Sequence, residues 1–347
     1  MKARAILITN MKGRDLISLN HGGGFKLTRN LIENEFAGVF GISEPLTDSA
    51  VLYGDEFTIS FTTDSYVVDP LFFPGGNIGK LSVCGTVNDL AVSGAIPGFL
   101  SASFIIEEGF PLDDLRIIVR SMAEEAGKAG VRIVTGDTKV VDKGKCDGMF
   151  ITTSGVGMLP SGLKDLGSGK MIKNGDKLIV NGPVGNHAVA ILGARNNLNF
   201  TSQVRSDCTS LNRMIRGILN SSEEVHFIRD LTRGGLAVVL NEVAGMAGKG
   251  ITVNESSIPV DDPVRGLCEI LGFEPLYLAN EGKILVVAGE KDYEEIINTM
   301  KRYPEGKESV VIGEISGDTK FSVVLNTVIG GKRRLDVPSG LQLPRIC

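Results

Sequence analysis

Asn77-Ile78-Gly79-Lys80-Leu81-Ser82-Val83-Cys84-Gly85-Thr86-Val87-Asn88-Asp89-Leu90-Ala91-Val92-Ser93-Gly94-Ala95 is built from small and apolar residues on every side, with one carboxylate at Asp89. Such a segment predicts a helix buried all round, in which Gly, Ala and Ser let neighbouring backbones approach closely. A strand pattern follows from Phe99 to Ile106. Residues Leu112 to Gly130 then read as an amphipathic helix, with Leu115, Ile118, Val119, Met122, Ala123 and Ala126 on one face and Gly130 as its stop. A further strand is predicted from Val131 to Thr135. Helices and strands alternating through short connections predict an α/β (α+β) sandwich rather than a bundle or barrel.

The same alternation extends outward. Thr28 to Phe40 reads as a helix behind a Thr cap, and Phe57, Ile59 and Phe61 alternate as a half-buried strand. Periodicity dissolves near residues 159–174, in Pro160, Ser161, Gly162, Gly167, Ser168 and Gly169, which predicts a domain boundary. Beyond it a second α/β unit is predicted, with strands at 177–180, 225–228, 283–288 and 310–315 and helices at 211–220 and 235–248. The expected organisation is residues 1–160, residues 161–335, and a flexible tail over 336–347.

With 347 residues, a net charge of −5 and basic residues scattered, the chain has the bulk for two cores and no basic groove for nucleic acid or polybasic patch for a membrane. Cys84, Cys146, Cys208, Cys268 and Cys347 form no C-x-x-C pair, which fits reduced thiols in the cytoplasm. Met1 to Asn10 lacks the apolar run of a signal peptide, and no segment has the length and apolarity of a membrane span.

Neither G-x-x-x-x-G-K-[ST] nor a strand-to-helix G-x-G-x-x-G is present. Carboxylates at predicted segment ends are the alternative: Asp48, Asp64, Asp89, Asp137 and Asp230. Asp89 is the most informative, because a carboxylate in an apolar helix is costly unless it is paired or binds a cation. Gathered from separate elements, such carboxylates suit a magnesium–triphosphate site; each alone also fits a helix or turn cap. Gly22-Gly23-Gly24, after His21, has the backbone freedom to wrap a phosphate. His21, His187 and His226 receive no role.

The chain ends Pro344-Arg345-Ile346-Cys347. A terminal Cys is a poor structural residue, and with nothing after it no prenylation signal exists. What remains is a carrier thiol on a tether: from Asp336 to Cys347 the chain spans up to about 35 Å at ~3.3 Å per residue, enough to visit its own active site and a partner's.

The order Thr62-Thr63-Asp64, Pro74-Gly75-Gly76-Asn77-Ile78-Gly79-Lys80, Val87 to Ala95, Gly136-Asp137-Thr138-Lys139, Asp230 to Gly235 and Asn280-Glu281-Gly282 resembles the ATP-binding superfamily of aminoimidazole ribonucleotide synthetase and selenophosphate synthetase. The ending Pro-Arg-Ile-Cys narrows the resemblance to its hydrogenase-maturation branch, along essentially the whole chain. The resemblance implies a two-domain PurM-like fold, with a mixed-sheet N-terminal domain and a C-terminal α/β sandwich, and dimerisation through N-terminal strands. It implies ATP and Mg2+, with Asp48, Asp64, Asp89 and Asp230 on the metal and Lys80, Asn88, Asp137, Thr138 and Gly22–Gly24 on the nucleotide. It further implies a carbamoyl group carried on Cys347 and dehydrated to thiocyanate, with Lys139 and Glu281 orienting and deprotonating the amide. The implied partners are a second copy, a carbamoyltransferase of the HypF type and a HypC–HypD iron scaffold that accepts cyanide for a nickel–iron hydrogenase. Two other readings fit the same residues: a superfamily enzyme activating the carbonyl of a free small molecule, for which Cys347 is dispensable, and a non-catalytic thiol carrier, which turns over no ATP.

Overall fold

Asn77 starts the central helix. Its side-chain oxygen accepts the N–H groups of Gly79 and Lys80 at 2.9 and 3.0 Å, and the helix runs from Ile78 to Val92. The computed structural model describes residues 16–42, 46–195, 203–317, 322–338 and 345–347. Met1 to Asn10, and residues 339–344 of the expected tail, lie outside the described residues.

The helix is buried on every side, as its composition requires. One side packs on the helix Leu112–Ala129, where a Cβ on Gly79 would stand 2.4 Å from the Ile118 carbonyl oxygen, so only glycine permits this approach. The buried stripe of that second helix is Ile118, Met122, Glu125, Ala126 and Ala129. Val119 is exposed, so the apolar face expected from periodicity is narrower than predicted.

Another side of the central helix covers a five-stranded sheet ordered Ala50–Tyr53, Thr58–Tyr66, Met149–Met158, Ile96–Glu107, Arg132–Val141. The last pair is parallel and the others antiparallel. Ser60, Thr62, Leu100, Ala102, Ile151 and Thr153 face the helix and are buried. Phe61, Phe99 and Ile105 remain exposed, as do nearly all residues of the edge strand Arg132–Val141. That strand is twice the predicted length and carries Asp137, Thr138 and Lys139.

The rest of the chain forms a seven-stranded mixed sheet, ordered Lys332–Arg334, Val323–Asn326, Gly250–Asn254, Val310–Ser316, Lys177–Val180, Ile284–Ala288, Val225–Asp230. Its last two strands are buried along their whole length because helices cover both faces. Leu178, Phe227, Leu285 and Val287 pack with Leu236, Leu240 and Val243 of the helix Gly235–Ala247. Alternate residues, among them Ile179, Ile228 and Val286, pack with Met214, Ile215 and Ile218 on one helix and Ile296 and Met300 on another. Ala91 and Val92 belong to this second cluster, so the central helix ends inside the core of the second sheet. Asn88 secures the join: its Nδ2 donates to the Thr209 carbonyl at 3.0 Å and its Oδ1 accepts Leu211 N–H at 2.8 Å.

Residues 16–42 belong to a separate compact unit. Within it the predicted helix begins at Lys26, two residues early, and passes through a π-helical turn at Ile32–Ala37. Thr28 does not cap it; its hydroxyl accepts the Gly24 N–H at 2.9 Å.

Asn88 thus joins the two sheets through both ends of its side-chain amide. Replacing it by alanine leaves the buried Leu211 N–H and the partly buried Thr209 carbonyl without this partner, so Asn88→Ala should lose roughly 1–3 kcal/mol of stability without nucleotide present. Chemical denaturation of the nucleotide-free protein measures this. Unchanged stability there would return Asn88 to ligand binding.

Candidate active site

A cleft of about 260 Å³ collects residues that the sequence scatters over 300 positions: Asp48, Asp64 and Asp89 from the first half, Asp230, Arg233 and Glu281 from the second, and Cys347. The placement follows from the elements. Asp64 lies on the strand Thr58–Tyr66, Asp89 one turn before the end of the central helix, and Asp230 at the end of its strand. Asn280 holds the next segment: its Nδ2 donates to the carbonyls of Leu231 and Leu278, and its Oδ1 accepts Gly185 N–H at 2.7 Å. Asp207 then accepts the N–H groups of Glu281 and Gly282, both at 3.2 Å. A Cβ on Gly282 would stand 2.0 Å from the Asp207 carbonyl oxygen, so the glycine of this motif is steric and Glu281 is the residue it delivers.

The carboxylates share an unusual electrostatic state. Burial, and then the negative charge of Asp64, push Asp89 well above the ordinary carboxylate range; burial followed by Asp48 does the same to Asp230. Glu281 is also raised, by burial and then by Asp230, and its Oε1 is buried without a hydrogen-bond partner among the described residues. Thr62 donates to Asp89 at 2.9 Å, and Tyr66 donates to Asp64 at 3.3 Å. Too few cations offset this concentration of acid. Arg229 is committed to Asp48, at 2.9 Å from both Nε and Nη2, and to Glu242 at 3.0 Å. Arg233 is free to face the cleft, where its Nη1 lies 3.0 Å from Cys347 Sγ.

Sequence reasoning missed Arg233, although it stands inside the motif Asp230 to Gly235. Burial pushes the Cys347 thiol up, and Arg233 opposes that shift without cancelling it. The docked side chain is therefore a protonated thiol beside a guanidinium.

Of the predicted metal residues, all four reach the cleft, but Asp48 is engaged by Arg229. Among the described residues no three His, Cys, Asp or Glu side chains form a ready ligand set for a metal ion. The donor set fits magnesium nonetheless: this ion uses one or two carboxylates and completes its shell with water and phosphate oxygens, and Asp64 with Asp89 gives a pair whose mutual repulsion a cation relieves.

The predicted nucleotide residues fare differently. Lys80 Nζ donates to the Gly75 carbonyl at 3.2 Å and steadies the turn before the central helix. Lys139 is exposed on the edge strand and ion-paired with Asp137 at 2.6 Å, so within one chain neither they nor Thr138 line the cleft. Gly22 to Gly24 fall in the separate unit, where Gly24 begins the turn into a helix.

Comparison with known proteins places this geometry. The AIR synthase related protein N-terminal domain matches residues 46–159, and the corresponding C-terminal domain matches residues 173–326. The chain is 49% identical to the carbamoyl dehydratase HypE of Rhodobacter capsulatus, over 95% of this chain and 98% of that one. A crystal structure of a HypE–HypF complex superposes with a TM-score of 0.83 at 46% identity, covering 89% of this chain and 99% of that one. A crystal structure of HypE in complex with ATP gives a TM-score of 0.80 at 41% identity, covering 96% and 100%. Matching domains at both ends of the cleft, and identity near one half over almost the full length, settle the relationship: the chain belongs to the HypE carbamoyl dehydratase family of hydrogenase maturation proteins, on the AIR synthase related fold.

Proposed function

We propose that this chain uses ATP to dehydrate an S-carbamoyl group on its own Cys347 to a thiocyanate, which supplies the cyanide ligands of a nickel–iron hydrogenase. The observation that carries the reading is the position of Cys347: the terminal side chain lies in the acidic cleft, 3.0 Å from Arg233, with Glu281 on the same wall. A carbamoyl oxygen is a poor leaving group until it is phosphorylated. In the proposed reaction that oxygen attacks the γ-phosphorus in line, and ADP departs. One N–H proton passes to Glu281, and the C–O bond then breaks as phosphate leaves with the other, so S–C(=O)–NH2 becomes S–C≡N. Asp64, Asp89 and Asp230 would hold magnesium, which supplies neutralisation of the triphosphate charge.

The chain's own groups have separable tasks. Arg233 faces the carbonyl end of the carried group and steadies negative charge there. Glu281, with an unpartnered buried oxygen, accepts an amide N–H and then its proton; its raised pKa makes it a stronger base once ionised. Lys139 keeps its proposed orienting role only if a second copy covers the edge strand that bears it.

A homodimer is part of the proposal. Phe61, Phe99 and Ile105 stand exposed on the uncovered face of the five-stranded sheet, beside an edge strand with open backbone groups. The other partners proposed are a HypF carbamoyltransferase and the HypC–HypD scaffold, and the proposed compartment is the cytoplasm. Residues 1–160, 161–335 and 336–347 are the proposed nucleotide-binding, C-terminal and carrier divisions. No helix among the described residues is long and apolar enough to cross a membrane.

Tail-peptide mass spectrometry tests the reaction. After incubation with a carbamoyltransferase and carbamoyl phosphate, Cys347 should carry the carbamoyl group and lose one water only with hydrolysable ATP; Cys347→Ala should abolish both while keeping ATP affinity. The same water loss with a nonhydrolysable analogue would overturn the mechanism. Calorimetry tests the cation site. Because Asp89 retains a proton above the ordinary carboxylate range, magnesium–ATP binding has to expel it, so affinity should fall as pH falls; Asp89→Asn should weaken binding at least tenfold, on the order of 1.4 kcal/mol, and flatten that dependence. Light scattering tests assembly: the wild-type mass should be that of a dimer, and Phe99→Glu should yield the monomer.

A further inference from the structure

The last three residues are held by their main chain. Val67 N–H donates to a main-chain oxygen of Cys347 at 3.1 Å and Asp69 N–H to the Arg345 carbonyl at 3.2 Å, so the tail lies beside residues 67–69 in the manner of an added strand. Arg345 Nε returns a bond to the Val67 carbonyl at 3.0 Å, and Arg195 Nη2 donates to the Arg345 carbonyl at 2.8 Å. The carbonyl between these two, that of Ile346, turns to a side chain instead. His187 Nε2 lies 2.8 Å from it, and His187, Ile346 and Cys347 are all buried.

The hydrogen-bond pattern fixes the state of the ring. A carbonyl only accepts, so Nε2 carries a proton. Burial lowers the pKa of His187, which keeps the ring neutral and leaves Nδ1 as an acceptor. Ser206 Oγ lies 2.8 Å from Nδ1 and itself accepts Cys208 N–H at 3.0 Å, so its hydroxyl proton is directed at the ring. Phe73 packs edge-on at 5.5 Å and limits the ring's rotation. The neighbour of Ser206 is Asp207, whose carboxylate holds the backbone of Glu281 and Gly282. One short path therefore connects the tail to the wall of the cleft: Ile346 carbonyl, His187, Ser206, Asp207, Glu281.

We propose that His187 is a positioning residue for Cys347: its Nε2–H, held in that tautomer by Ser206, fixes the carbonyl immediately before Cys347 and thereby registers the carried group against Arg233 and Glu281. This rests on the dehydration reading given above. A residue needed only to fill space would be served by any aromatic ring. Here both ring nitrogens engage, with segments 19 and 159 residues away in sequence, and the contact point is one residue from the reacting side chain.

The test uses the full chain and two readouts. The first is the alkylation rate of Cys347 by iodoacetamide, read by peptide mass spectrometry with the other four cysteines as internal references. The second is single-turnover water loss from carbamoylated Cys347 with ATP. Leaving a buried carbonyl without its donor shifts such an equilibrium by about tenfold to a hundredfold, so His187→Ala should speed alkylation and slow water loss by that order, with ATP affinity kept. His187→Gln places an amide N–H near Nε2 and should restore both within about threefold of wild type. Should His187→Ala not give a cooperative thermal melt, Ser206→Ala takes its place with the same direction of change. Wild-type alkylation in the folded variant, or glutamine performing no better than alanine, overturns the proposal. The predicted order of alkylation rates without water loss in any protein upholds the His187 contact with the tail and instead rejects the dehydration reading.

Discussion

The structure depends on one buried carboxamide. The helix Ile78–Val92 is apolar and small all round, so packing alone gives it no preferred rotation relative to the second sheet. Asn88 supplies the direction: its two bonds to the Thr209 carbonyl and the Leu211 N–H can both form at only one rotation and one depth. That same setting brings Asp89, the next residue, to the cleft side, toward Asp64 and Asp230. The cost of burying an amide is met by full pairing, and the cost of burying the adjacent carboxylate is not. The arrangement therefore places its electrostatic strain at the site of chemistry and its satisfied polar contacts just behind it.

The acid in the cleft is tolerated because burial favours the protonated, uncharged carboxyl groups. Asp89, Asp230 and Glu281 all hold their protons above the ordinary carboxylate range, with burial as the first cause in each case. Arg229 compensates Asp48 and Glu242 at the periphery but does not reach the centre as a free charge. A site of this kind is poised to exchange protons for a divalent ion carrying phosphate.

Much of this was legible in the sequence, and the failures have physical reasons. The central helix, its neighbour and most strands of both sheets follow from hydrophobic period, and the four aspartates were traceable because a carboxylate in apolar surroundings needs an explanation. Asn88 shows where sequence stops: an amide beside a buried aspartate looks the same whether it binds a ligand or backbone, and only the fold shows its bonds to Thr209 and Leu211. Lys80 is a similar case, a cation whose bond to the Gly75 carbonyl no local pattern announces. Arg233 and His187 were missed for the opposite reason: their roles depend on the tail arriving from more than a hundred residues away, a distance no local pattern encodes. Lys139 belongs to a strand that is nearly all exposed, away from the cleft, so neither burial nor a neighbouring wall marks it for a role.

The way the tail is held has a consequence for its cargo. Residues 67–69, Arg195 and His187 hold Arg345, Ile346 and Cys347 through main-chain atoms, apart from the Arg345 side chain itself, which bonds the Val67 carbonyl, pairs with Asp147 and lies over Phe150. None of these bonds touches the Cys347 side chain. The tail is therefore gripped in the same way whether sulfur carries a proton, a carbamoyl group or a cyano group, and discrimination among them falls to the cleft, where Arg233 meets the sulfur end. Dehydration removes both the oxygen and the N–H groups that a guanidinium and a carboxylate can bind. The product state thus keeps the grip on the backbone and the Arg233 contact at sulfur but loses the amide's hydrogen bonds, which biases release toward the step after chemistry rather than before it.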